Sequence, residues 1–174
     1  ADLRAAVQRP EMDRLWNQVR AIADEAVNED PLTAFTTLPG RSEEDIRQGN
    51  REYTIVHAAG ERVLACALVC LITEEAQYKD AALRQAKSLF DAAQWPEWQD
   101  IYHRRRYNFD ADLRTGQLCR DLGLAYDWLY PYLTADERAW YVEGIDRRGI
   151  QAYLRAVEQG APWVDRMNNW TTCI

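Results

Sequence analysis

Residues 55–72 constrain this chain more than any other stretch, because after Arg62 they are apolar on nearly every helical face. A helix without a polar face has to be covered on several sides, so other elements must pack around it. His57, Glu61 and Arg62 occupy its first half, which fits a buried core helix better than a membrane span. The spacing predicts a helix over 54–71.

The rest of the chain reads as elements suited to covering it. A helix is predicted over 11–27, opened by Pro10, with Leu15, Trp16, Val19, Ile22, Ala23 and Ala26 on one apolar stripe. Residues 28–50 carry Pro31, Pro39, Gly40 and Gly49 and read as a long connection. An amphipathic helix is expected over 75–93, with Leu83, Ala86, Leu89 and Phe90 inward and Lys79, Asp80, Arg84 and Lys87 outward. Pro96 stops it, and residues 94–110 form an aromatic and basic segment. Two further helices are predicted over 113–130, ended by Pro131, and 134–158, opened by a capping box of Thr134 and Glu137. Gly144 and Gly149 weaken the last helix locally. No alternating pattern of useful length points to a strand. The expected fold class is all-α, with antiparallel helical hairpins in one domain over 1–174.

Charge narrows the partners. A net charge of −7 over 174 residues repels polyanions at long range, and Arg104-Arg105-Arg106 is the one concentrated basic patch. Nucleic acid and membrane are therefore not expected as partners. Two histidines and scattered acids give no metal-ligand spacing, and no cofactor is expected. Cys66 and Cys70, four apart on one helical face, read as small buried hydrophobes and not as a disulfide. No signal peptide is visible, and a chain that starts at Ala1 without Met fits a trimmed product.

Three segments, taken in order, resemble the N-terminal α/α-toroid domain of heparinase II/III-like polysaccharide lyases. They are residues 71–78 followed by Trp95-Pro96-Glu97-Trp98, residues 122–138, and Asn168-Asn169-Trp170. The middle tract is the most specific, joining an aromatic helix end, a proline stop and a capping box. The resemblance covers the chain from about Ala58 to its end. It implies an incomplete toroid within a longer polypeptide, a secreted or periplasmic location, and an acidic polysaccharide or oligosaccharide as partner. It also implies cleavage of uronate-containing glycans by β-elimination. The chain departs from the family at residues 110–115, where a His-bearing start to the helix is expected.

In that chemistry a base removes the proton α to the uronate carboxylate, and hydrogen-bond donors stabilise the enolate-like charge. Asn168 and Asn169 fit the neutralising role, since amide NH₂ groups bind the carboxylate without adding negative charge. The base and acid are expected beyond residue 174, so the chain alone is expected to be inactive. Substrate contacts are expected from Trp163 and Trp170 by stacking, and from His103, Arg104, Tyr107 and Trp98 at a groove edge. Competing readings stay open: a Trp-Pro-Glu-Trp plug between helices, a solvated basic loop, and Trp163 and Trp170 as core. His57 reads as a hydrogen-bonded core histidine, and Asp127 as bonded to the adjacent turn. Two other functions remain in play, a glycoside hydrolase on a similar toroid and a non-catalytic helical binding scaffold.

Overall fold

The structure, a computed structural model, describes residues 3–38 and 50–165, leaving aside the side chains at 50–53 and 101–102. All its regular elements among these residues are helical. They are α1 (Leu3–Ala6), α2 (Asp13–Asn28), α3 (Asn50–Thr73), α4 (Ala76–Phe90), α5 (Ile101–Tyr107), α6 (Leu113–Leu129), α7 (Ala135–Ile145) and α8 (Gln151–Glu158). Short 3₁₀ turns at Pro10–Met12 and Tyr130–Tyr132 precede α2 and α7, and a π-helical turn, Asp146–Ile150, joins α7 to α8.

Helix α3 contacts α2, α4 and α6, and so is covered from three directions. Val63, Cys66, Ala67 and Val69 are fully buried. Residues Thr54–Thr73 have a mean hydropathy of 1.9, long and apolar enough to cross a membrane, but most of that window is packed inside the protein. This is the burial that its all-round apolar pattern requires.

The two-residue turn Glu74-Glu75 returns the chain as α4, whose buried face includes Ala82, Ala86, Leu89 and Phe90. Glu74 takes a left-handed backbone, φ 63°, as the residue after a helix often does. Helix α7 then packs on both α6 and α4. Its capping box forms as expected: Glu137 N–H donates to Thr134 Oγ1 at 3.2 Å and Thr134 N–H to Glu137 Oε2 at 2.7 Å.

Polar anchors fix the helices to one another. Arg62 of α3, only 6% exposed, donates to Glu25 at 2.8 Å, Glu29 at 2.6 Å and the Asp30 carbonyl at 3.1 Å. The Leu32 carbonyl accepts from Gln85, Ser88 and Trp95, which ties the segment after α2 onto α4. These bonds satisfy polar groups whose burial would otherwise cost stability.

Three expectations need correction. Leu15 is 54% exposed and stands off the buried stripe of α2, while Ala23 and Ala26 are buried on it. Residues 94–110 contain α5, a helix of two turns, too short to show a periodic pattern. Gly144 and Gly149, read only as weak points in one long helix, lie where the chain packs closely on the core. A Cβ on Gly144 would come within 2.3 Å of the Phe90 ring, and one on Gly149 within 2.2 Å of Cys119 Sγ.

The neighbourhood of Phe90 supplies a paired prediction. Tyr141 is fully buried beside Phe90, and its hydroxyl finds no hydrogen-bond partner among the described residues. Tyr141→Phe removes that orphan and is expected to raise stability by ~1 kcal/mol. Gly144→Ala forces a methyl into the Phe90 ring and is expected to lower it by about 1–3 kcal/mol. Urea denaturation of both variants checks the opposite signs.

Candidate anion-binding site

The candidate site grows from the segment that carries the chain from α4 to α6. Its first part is a pair of plugs. Trp95 Nε1 donates to the Leu32 carbonyl at 3.2 Å and Trp98 Nε1 to the Leu89 carbonyl at 2.9 Å, and both rings are buried. The Trp-Pro-Glu-Trp turn is therefore a plug between helices, and Trp98 offers no open stacking face.

Its second part is a buried charge network around Asp112, the N-cap of α6. Asp112 Oδ1 accepts from Arg114 N–H at 2.8 Å. Its Oδ2 accepts from Asp100 N–H at 2.8 Å and from Arg114 Nη1 at 3.1 Å, and lies 3.0 Å from His103 Nδ1. Arg114 Nη2 pairs with Asp100 at 2.8 Å, and Thr115 Oγ1 donates to the Trp98 carbonyl at 2.8 Å. Burial alone would push the Asp112 carboxyl up. The bond to His103, the Arg114 charge and the Asp100 and Arg114 amides outweigh it and hold the group below the ordinary carboxylate range. Residues 110–115 thus hold α6 to the preceding segment, where the family resemblance implied a histidine.

Beside this framework lies a polar pocket of about 210 Å³, lined by Glu97, Trp98, Arg104, Asp110, Arg147, Arg148, Ala152 and Arg155. Asp110 sits between two guanidiniums, with Oδ1 on Arg104 of α5 and Oδ2 2.7 Å from Arg155 of α8. Burial opposes ionisation of Asp110, but its bonds to Arg155 and Arg104 prevail and keep its pKa low. Arg147 and Arg148 come from the π-turn and donate to the carbonyls of Phe90 and Trp95. Among the described residues neither forms an ion pair. Burial, and after it the charge of Arg147, pull the Arg148 pKa down against the raising effect of Glu97.

Of the residues singled out from sequence, the fold brings Trp98 and Arg104 to this pocket. His103 turns instead towards Asp112 and stacks loosely on Tyr107, with ring centroids 5.9 Å apart. Tyr107 is 40% exposed, with the Arg106 guanidinium 5.2 Å from its ring. Trp163 is 4% exposed and packs on Tyr153 in a small second core, so its ring is core and not a stacking platform. Asn168, Asn169 and Trp170 lie outside the described residues, as does the side chain of Tyr102.

His57 is half-buried, its Nδ1 2.6 Å from Gln117 Nε2, in keeping with a hydrogen-bonded core histidine. Asp127 departs from expectation: its side chain is exposed, and only its backbone carbonyl meets the turn, accepting from Tyr130 N–H. Cys66 and Cys70 are buried free thiols, and burial pushes the Cys66 thiol up to about 12, which makes it inert. No cluster of three or more metal-binding side chains occurs among the described residues.

Sequence reading missed Arg147, Arg148 and Arg155. The only available signal was the adjacent Arg147-Arg148 pair before Gly149, which on a regular helix would read as solvated charge. No protein-family model matches this chain, and a search of curated proteins finds no significant match.

The Asp112 network carries a stability prediction. Asp112→Ala removes one of the two carboxylates that face buried Arg114, leaving Asp100, and removes the cap of α6, and is expected to cost ~2–4 kcal/mol. Because the folded pKa of Asp112 is depressed, its contribution is present above the unfolded value, ~3.9, and is lost as pH falls through the folded value. Asp112→Asn, which keeps a capping oxygen, should therefore flatten the acid limb of a stability–pH profile measured by denaturant titration.

Proposed function

We propose that this chain is the helical part of a polysaccharide lyase that cleaves uronate-containing anionic glycans by β-elimination, in a secreted or periplasmic protein. The observation that supports the reading is the arginine-lined pocket beside Trp98. In a chain of net charge −7, four guanidiniums face only two carboxylates there, which suits an acidic sugar at short range.

On this reading the pocket grips an anionic group of the glycan at the edge of an incomplete helical toroid. Asn168 and Asn169 donate hydrogen bonds to the carboxylate of the sugar being cleaved. A base taken from the remainder of the polypeptide removes the α-proton, the C–O bond to the leaving sugar breaks, and an acid protonates the departing oxygen. The amides lower the barrier because they meet charge that grows as the proton leaves.

A hydrolase on a similar toroid has less support at this pocket. Its general acid would need a raised pKa, whereas Asp110 is held low by Arg104 and Arg155.

Unsaturated product from an acidic polysaccharide, followed by ultraviolet absorbance in the whole protein, tests the reading. Replacing Asn168 and Asn169 together by Ala is expected to cut turnover by ~10²–10³-fold. New reducing ends without unsaturation would point to hydrolysis. Binding of a protein and of no acidic sugar would point to a scaffold.

A further inference from the structure

The arginine pocket holds more positive charge than its own carboxylates neutralise, and that surplus has a shape. We propose that the pocket between α5, the π-turn and α8 is a binding site for a small tetrahedral dianion, with inorganic phosphate as the simplest member of the class. The assignment shares its pocket with the glycan reading but stands on the arginine geometry alone.

Asp110 spends its single charge on Arg104 and Arg155, one oxygen to each. Arg147 and Arg148 spend one amino group each on the carbonyls of Phe90 and Trp95. Arg148 Nε is buried and has no partner among the described residues. Glu97 lines the same pocket and forms no ion pair among those residues. Four guanidiniums line the pocket against two carboxylates, with Asp91 also acting on Arg148 from outside the lining, so positive charge stays in excess in one concave place.

The donors come from three elements and so approach from several directions. A planar carboxylate offers its acceptors in one plane, whereas a tetrahedral oxyanion presents them on all sides and can meet donors that arrive from several directions. A volume of about 210 Å³ leaves room for such an ion with part of its hydration, each water taking roughly 30 Å³. Arg148 also carries its charge half-buried and beside Arg147, a repulsion that a bound dianion relieves.

Titration of the chain with inorganic phosphate at constant ionic strength, by calorimetry and thermal unfolding, tests the site, with chloride as the comparison anion. One saturable site and a rise in Tm with phosphate alone are expected. Arg147→Gln, at an exposed position, should weaken phosphate by about tenfold while leaving the fold intact. Asp110→Asn frees Arg104 and Arg155 and should tighten it. Asp136→Asn, the same charge change on the first turn of α7, should leave it unchanged.

No saturation at millimolar phosphate overturns the proposal, as does an unchanged affinity in Arg147→Gln or an equal response of the two Asp variants. An acidic oligouronate serves as the second arm. If the oligouronate binds through Arg147 while phosphate neither binds nor competes with it, this proposal falls and the glycan reading stands. If phosphate binds through Arg147 and the oligouronate does not bind, the glycan reading loses its support and this one stands.

Discussion

Helix α3 is apolar on most of its surface, with the stripe of Glu61, Leu64, Leu68 and Leu71 left open or partly open, and the placement of the other long helices follows from that. Helices α2, α4 and α6 each bury part of it. The gain comes from removing apolar surface from solvent, roughly 25 cal/mol per Å², so each neighbour is held by area and not by one contact. Arg62 is a buried charge on α3. It is tolerated because Glu25, Glu29 and the Asp30 carbonyl satisfy it, and in doing so they fix the C-terminal end of α2.

The pocket is a consequence of how the chain travels from α4 to α6 around that centre. Two tryptophan plugs and the Asp112 network tie the connecting segment to the neighbouring helices, and α5 presents Arg104 to Asp110. The helical run from α7 through the π-turn to α8 passes close to that centre. Gly144 and Gly149 let it lie against Phe90, Trp98 and Cys119, and the π-turn between α7 and α8 takes up the extra residue. Such turns frequently occur at functional positions because they alter which side chains share a face. Here the turn carries Arg147 and Arg148 at the pocket, with Arg155 following on α8.

Much of the fold was legible because it depends on short-range rules. The Tyr130-Pro131 stop and the Thr134–Glu137 box set the start of α7, and each works through atoms within four residues. Cys66 and Cys70 declared their burial by sitting on a helix with no polar face. The candidate site was legible only in fragments. Arg104 and Trp98 come to the pocket, while His103 is drawn to Asp112, nine residues on, and Trp163 into a second core with Tyr153 and Ala111, contacts that no helical period announces. The expected face of α2 failed at Leu15, which stays 54% exposed.

The sequence by itself determined that the chain is helical, which helix has to be central, and where several helices start and stop. Propensity, capping and periodicity act between residues a turn or two apart, so one chain contains all that they need. Only the tertiary structure decided that Arg104, Arg147, Arg148 and Arg155 meet. Those residues span 52 positions and belong to three elements. Their convergence depends on close helix approach at two glycines and on a π-turn that has no sequence period to announce it.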